Sequence, residues 1–108
     1  MTKQERIKAL TELLDKNPDD SFSRYALALE HVSLGETEGA IAELRELIHR
    51  DPKYLAAYHQ LGQLYCKVNS TAKAKIIYRQ GIELALEAND IHAKTEMEEE
   101  LEEIEDEW

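Results

Sequence analysis

The fold of this chain is decided by residues 58–78, YHQLGQLYCKVNSTAKAKIIY. Apolar and small side chains recur in this stretch at intervals of three and four residues, on both sides of the polar segment 69–71. This spacing places them on one face of a helix, so the stretch predicts two amphipathic helices separated by a turn. Two helices joined by so short a connection pack against each other in antiparallel orientation.

The same pattern occurs elsewhere in the chain at an offset of 34 residues. A helical pattern that recurs at a fixed period is typical of repeat proteins, in which each helical hairpin packs on the next. The N-terminal segment shares the pattern of the second helix of each pair. The equivalent residues are Asn17-Pro18 with Asp51-Pro52, Leu27 with Leu61, Ala40 with Ala74, Ile7 with Ile41, Leu10 with Leu44 and Tyr78, and Leu14 with Ile48 and Ile82.

The second copy resembles the tetratricopeptide repeat, whose pattern is an aromatic residue, then L-G-x2-Y, then A-x3-F. The matching residues are Tyr58, Leu61, Gly62, Tyr65, Ala74 and Tyr78. The first copy is looser, because Arg24 replaces the aromatic residue, Ala28 the glycine and His31 the tyrosine. The chain is similar to small bacterial members of this family, over two full repeats and a half repeat.

The resemblance implies an all-α fold, a right-handed α-solenoid of antiparallel helix pairs with about six helices. We expect one domain over residues 1–108. Pro18 and Pro52 are expected to end the helices before them, and Gly35 the helix that begins near residue 21. Thr37 and the segment 69–71 are candidate caps for the helices that follow them. The predicted parts are an N-terminal half-repeat helix at 3–16, repeats at 21–54 and 55–88, and an acidic capping helix at 90–106.

Composition and charge exclude several classes of protein. The chain has 43% hydrophobic and 33% charged residues, with four Gly, two Pro and a single Cys, which rules out an internal disulfide. The net charge is −10, and it is concentrated in residues 89–108, where ten acidic residues face one basic residue, Lys94. Without a basic stripe we expect no nucleic-acid binding, and the acidic end disfavours an anionic membrane surface. We expect a cytoplasmic protein.

Gly62 and Gly81 lie in the interiors of predicted helices. A glycine in a helix interior costs about 1 kcal/mol relative to alanine, so it is retained where another helix must come close. We therefore predict that both glycines lie at close helix–helix contacts.

The resemblance implies that a partner binds on the concave face, which the first helix of each repeat lines. We expect a non-catalytic interaction module or adaptor that binds a peptide segment or another protein there. Two alternatives remain open for the apolar stripe at 22–32: burial against the final helix, or a homodimer interface that makes the chain a self-assembly scaffold. The predicted partner-binding residues are Phe22, Tyr25, Leu29, Val32, Ala56, His59, Gln63 and Cys66.

Some members of the family hold a peptide's C-terminal carboxylate with Lys, Asn and Arg side chains in this groove. The corresponding positions hold Tyr25, Leu29, His59 and Gln63. We therefore expect no receptor of that kind.

Catalytic and metal-binding patterns are not found in the sequence. The four histidines are scattered, and no Gly-rich phosphate loop or nucleophile motif is present. Cys66 is expected to be a half-buried apolar residue without reactivity. The glutamates of the last helix fan outward, whereas a calcium site needs oxygens that converge. We expect no enzyme activity, no cofactor and no metal site. The acidic helix is expected to be either a solvating cap or a docking surface for a basic partner.

Overall fold

The computed structural model describes residues 1–105, and their regular structure is entirely helical. The all-α fold and the six helices predicted from the sequence are therefore confirmed. The helices are α1 (Lys3–Lys16), α2 (Ser21–Ser33), α3 (Thr37–Arg50), α4 (Leu55–Lys67), α5 (Thr71–Glu87) and α6 (Ile91–Glu105).

Local sequence signals fix most of the helix ends. Helices α1 and α3 end immediately before Pro18 and Pro52, as predicted, with Asn17 and Asp51 as their C-caps. Helix α2 begins after Asp20, whose carboxylate accepts a hydrogen bond from the Ser23 amide at 3.1 Å. This bond satisfies one of the amides that a helix N-terminus leaves unpaired.

Three helix ends use the left-handed backbone conformation. Gly35 follows α2 with φ of +75°, Asn69 follows α4 with φ of +60°, and Asn89 follows α5 with φ of +57°. Glycine and asparagine tolerate this conformation best, which ends the helix and turns the chain. Gly35 and Asn69 are 34 positions apart, so their turn recurs with the repeat.

The predicted caps of α3 and α5 are only partly right. Thr37 is the first residue of α3, and the N-cap is Glu36, whose side chain makes no capping hydrogen bond. Ser70 is the N-cap of α5 but also makes no side-chain capping bond. The capping box of α1 was missed, although Thr2 and Glu5 have its spacing and bond each other's amides at 3.1 Å.

The chain divides into two compact units, and the first is Met1–Tyr54. In this unit α2 packs against both α1 and α3. Arg24, which replaces the expected aromatic residue, is buried and bonds the Glu43 carboxylate at 3.0 Å and the Pro18 carbonyl at 3.0 Å. The apolar core of this unit is Leu14, Leu27, Ala28, Ala40, Ile41, Leu44 and Leu47.

The second unit begins at Leu55, and in it α5 packs against both α4 and α6. The close contacts predicted for its two glycines are confirmed. A β-carbon added to Gly62 would lie 2.7 Å from Cε1 of Tyr78, and one added to Gly81 would lie 2.6 Å from Sδ of Met97. The core of this unit is Ala57, Tyr58, Leu61, Leu64, Tyr65, Ala74, Tyr78, Ala85, Met97, Leu101 and Ile104.

Helix α6 is the acidic helix predicted at 90–106. Its apolar edge is buried at Met97, Leu101 and Ile104, so the helix covers part of the second unit as a cap would. Residue 106, the predicted end of the helix, and Trp108, the last residue of the predicted edge, lie outside the described residues. Within residues 1–105, no helix has the length and hydrophobicity needed to cross a bilayer.

Candidate partner-binding surfaces

The apolar stripe of α2 is partly open to solvent. Phe22 is 74% exposed and Leu29 is 37% exposed, while Tyr25 and Val32 are half-buried. The two alternatives for this stripe, burial against the final helix and a homodimer interface, stay predictions. Aromatic and aliphatic side chains that remain exposed together are typical of a surface that binds another chain.

Tyr25 is held in place by a neighbour that the sequence analysis did not single out. Its ring lies 5.3 Å from the ring of Tyr54, centroid to centroid, at an interplanar angle of 46°. Burial raises the pKa of Tyr54 above its usual value. The same end of α2 is tied to the end of α3, because Ser21 donates a hydrogen bond to Asp51 at 2.7 Å. The stripe is thus presented on a fixed element.

The residues predicted on α4 have different surroundings, since α6 lies beside them. His59 Nε2 donates to Oε2 of Glu100 at 2.5 Å, and the Gln63 amide donates to Oε1 of Glu100 at 3.0 Å. Ala56 and His59 line a cleft of about 220 Å³ between α4 and the start of α6. His59 is half-buried, while Ala56 and Gln63 are exposed.

Tyr78 completes the network around the Glu100 carboxylate. Its hydroxyl donates to Oε1 of Glu100 at 2.9 Å. Burial works to raise the pKa of Glu100, but the hydrogen bonds from His59, Gln63 and Tyr78 outweigh it, so the pKa lies below its usual 4.5. Burial, together with the bond to Glu100, raises the pKa of Tyr78 far above its usual range. Cys66, half-buried, also lies within hydrogen-bond reach of the Tyr78 hydroxyl.

Among residues 1–105, one group of side chains has donor atoms close enough for a metal ion. Nε2 or Nδ1 of His59 and carboxylate oxygens of Glu96 and Glu100 lie within 4.8 Å of one another. The Glu100 oxygens already accept bonds from three protein donors. We interpret this group as the hydrogen-bond network that attaches α6.

Glu100 is the residue that the sequence analysis missed, although a signal for it exists. It lies three residues after Met97 and one before Leu101, which places it on the buried side of α6. A buried tyrosine hydroxyl such as that of Tyr78 needs a partner, and a carboxylate on the facing helix provides it.

A family model described as tetratricopeptide repeat matches residues 1–86. The chain belongs to the tetratricopeptide repeat family. The family is a protein-interaction fold, so the general prediction of an interaction module is confirmed. Among curated proteins, no sequence matches the chain.

Solved structures agree with this assignment. A tetratricopeptide repeat domain protein from Salinibacter ruber is 37% identical, with a TM-score of 0.77, and the match covers 82% of this chain and 90% of that one. The complex of the TPR2B domain of yeast Sti1 with pHsp70 has a TM-score of 0.84 at 22% identity, covering 92% and 79% of the two chains. The type III secretion translocator chaperone SycD of Yersinia enterocolitica has a TM-score of 0.88 at 17% identity, covering 95% and 72%. The last two share the fold alone with this tetratricopeptide repeat chain.

Proposed function

We propose that this tetratricopeptide repeat chain is a non-catalytic adaptor that binds a peptide segment of another protein on the stripe of α2. The observation that carries the proposal is the exposure of Phe22 and Leu29 beside the half-buried Tyr25. The TPR2B domain of yeast Sti1, which shares this fold, forms a complex with pHsp70, and this supports another protein as the class of partner. The cytoplasm fits a chain with one cysteine and no internal disulfide.

Association with the stripe is driven by burial of apolar surface, which contributes about 25 cal/mol per Å², less the free energy lost in ordering the peptide. The residues predicted on α4 stay a prediction as partner contacts. In the second unit His59 and Gln63 are already bonded to Glu100, so we assign the main affinity to α2.

The proposal is tested by selecting peptides from a random library and measuring their affinity by fluorescence anisotropy. The Tyr25→Ala/Leu29→Ala variant should lose about tenfold or more in affinity, because few interface residues carry most of the binding free energy. The matched control is Leu13→Ala, whose side chain is 50% exposed on α1, and it should bind as the wild type does. Selected peptides that bind the double variant with unchanged affinity would contradict the proposal.

Self-assembly through the same stripe is the alternative, and one measurement separates the two. Sedimentation equilibrium over a wide concentration range should give the monomer mass if the stripe is reserved for a partner. A concentration-dependent dimer that Tyr25→Ala/Leu29→Ala abolishes would favour the homodimer.

A further inference from the structure

A second surface lies on the groove between α5 and α6, apart from the α2 and α4 residues of the proposed function. The groove encloses about 570 Å³ and has an apolar floor that includes Ile82, Leu86 and Leu101. Leu86 is 55% exposed. The residues that line it on α5 are 79, 82, 83 and 86, and those on α6 are 98, 101, 102 and 105. Both sets have the spacing of three, four and seven residues that one face of a helix presents to another helix.

The repeat shows what this face of α6 corresponds to. Asp20 caps α2 seven residues before the buried Leu27, and Asp90 bonds the Ala93 amide seven residues before the buried Met97. Met97 is therefore equivalent to Leu27 and Leu61, the buried leucines of the two repeats. Glu98 is then equivalent to Ala28 and Gly62, the small residues that follow those leucines.

In α4 this small residue lies in close contact with the paired helix, α5. Gly62 faces the ring of Tyr78 on α5, at a distance that leaves no room for a β-carbon. In the second repeat, the second helix of the pair, α5, packs against this face of the first helix, α4. The equivalent face of α6 is the one that lines the groove. In the structure of residues 1–105 the groove on this face is open to solvent, as the 55% exposure of Leu86 shows.

The charges of the groove select the kind of helix that fits it. Four carboxylates line it, those of Glu83, Glu98, Glu102 and Glu105, against one guanidinium, that of Arg79. Arg79 bonds Glu105 at 2.6 Å, and Lys94 bonds Glu98 at 3.0 Å. In the part of the chain that the structure describes, no salt bridge is formed by Glu83 or Glu102. A purely apolar helix in the groove would remove water from these carboxylates and offer them no partner. A helix with cations on either side of its apolar stripe would pair with them.

We propose that the α5–α6 groove binds an amphipathic helix of a partner protein whose apolar stripe is flanked by Lys and Arg residues. The apolar stripe packs on Ile82, Leu86 and Leu101, and the cations pair with Glu83 and Glu102. A partner protein fits better than a second copy of this chain, although residues 53–82 hold five basic residues and no acidic one. These residues form α4 and most of α5, which already pack against each other, and α5 also packs against α6, so neither is a free helix that could lie in the groove of another copy.

The probe for this site is a fluorescein-labelled 18-residue peptide with Leu at positions spaced by three and four and Lys at the flanking positions. Its affinity is measured by fluorescence anisotropy at about 0.1 M salt, where charges are screened over about 10 Å. Leu86→Ser and Glu102→Lys should each weaken binding about tenfold, the first through lost apolar contact and the second through reversed charge. A peptide with every Lys replaced by Glu should not bind.

Two control substitutions are made on the same helices as Leu86→Ser and Glu102→Lys, at positions that are also exposed. Ile76 is also 55% exposed on α5, outside the groove, and Ile76→Ser should leave the affinity unchanged. Glu99 is exposed on α6 and does not line the groove, so Glu99→Lys should weaken binding by about twofold at most. Circular dichroism of all four variants checks that they are folded, and Tyr25→Ala/Leu29→Ala should bind the probe as the wild type does.

Four results would overturn the proposal. Equal losses for Glu99→Lys and Glu102→Lys, with none for Leu86→Ser, would show attraction by net charge alone. Unchanged binding of the Lys-to-Glu peptide would exclude the carboxylates as the selecting groups. Self-association of the wild type that Leu86→Ser abolishes would make a second copy the occupant. Loss of probe binding in Tyr25→Ala/Leu29→Ala would place the probe on α2 and contradict a separate site.

Discussion

Gly62 shows how one residue sets the distance between two helices. The Tyr78 ring that faces it is fully buried, and its hydroxyl is bonded to Glu100. The ring therefore cannot move away from an added methyl group without breaking that hydrogen bond. Gly62 is retained for this approach in spite of the low helix propensity of glycine.

We expect Gly62→Ala to lower the free energy of unfolding by about 1–2 kcal/mol, because overpacking outweighs the gain in helix propensity. The measurement is chemical denaturation followed by circular dichroism. Gly39→Ala is the control, since its β-carbon would lie 3.3 Å from the half-buried His31 ring, a looser contact than the 2.7 Å at Gly62. Its stability should equal or slightly exceed that of the wild type. A Gly62→Ala variant as stable as the wild type would show that the contact is not tight.

Arg24 shows that the repeat pattern can be satisfied by different chemistry. Tyr58 fills the equivalent position of the second repeat with a buried ring. Arg24 instead bonds Glu43 and the Pro18 carbonyl from a buried position. A buried guanidinium needs such partners because the free energy of leaving it unpaired is high.

Helix α6 is attached to its unit by an apolar edge and by one carboxylate. Met97 packs against α5 at Gly81, and Glu100 accepts bonds from Tyr78 of α5 and from His59 and Gln63 of α4. The remaining glutamates of α6 are largely exposed and repel one another. Docking of this helix therefore depends on Glu100 being ionised.

The lowered pKa of Glu100 gives this attachment a defined pH dependence. A group whose pKa is lower in the folded than in the unfolded state stabilises the fold above the unfolded value, here 4.5, and this stabilisation is lost as the pH falls through the folded pKa. We expect Glu100→Gln to be less stable than the wild type at neutral pH, with a difference that shrinks below pH 4.5. Urea denaturation of both proteins across this range measures it.

Other carboxyl groups with a lowered pKa, such as that of Asp20, are present in both proteins. Their contribution to the unfolding free energy therefore cancels in the comparison. A difference in unfolding free energy that stays constant with pH would show that the Glu100 charge does not hold α6.

Packing is unevenly distributed over the molecule. Helix α1 packs mainly against α2 and buries one residue, Leu14. Helix α5 packs against both α4 and α6 and buries Ala74, Tyr78, Gly81 and Ala85. Elements with few buried contacts open at lower free energy than central ones.

We expect the amides of α1 to be less protected from hydrogen exchange than those of α5, by about tenfold or more. Exchange followed by NMR, with intrinsic rates divided out, measures the protection factors. The capping box at Thr2 limits fraying at the first turn, so the comparison is made over the middle of each helix. Equal protection in α1 and α5 would indicate that the whole chain opens as one unit.

Most of the architecture could be predicted from the sequence because it depends on local rules. The spacing of apolar residues predicted the six helices. Three helix ends were predicted from Pro18, Pro52 and Gly35, and two close helix contacts were predicted from Gly62 and Gly81. The caps of α3 and α5 were less predictable, since Thr37 and Ser70 have the right residue type without making the bond. Capping needs a side-chain rotamer that residue type alone does not fix.

The amino-acid order by itself determined the family, the helical repeat and the concentration of negative charge in the last helix, since each is a property of residues near one another in the chain. Only the tertiary structure decided that Glu100 accepts bonds from His59, Gln63 and Tyr78, and that Leu86 and Glu102 line one groove. The residues in these pairs are 16 to 41 positions apart in the sequence. Helix packing brings them together, and it sets side-chain distances that the spacing along one helix does not contain.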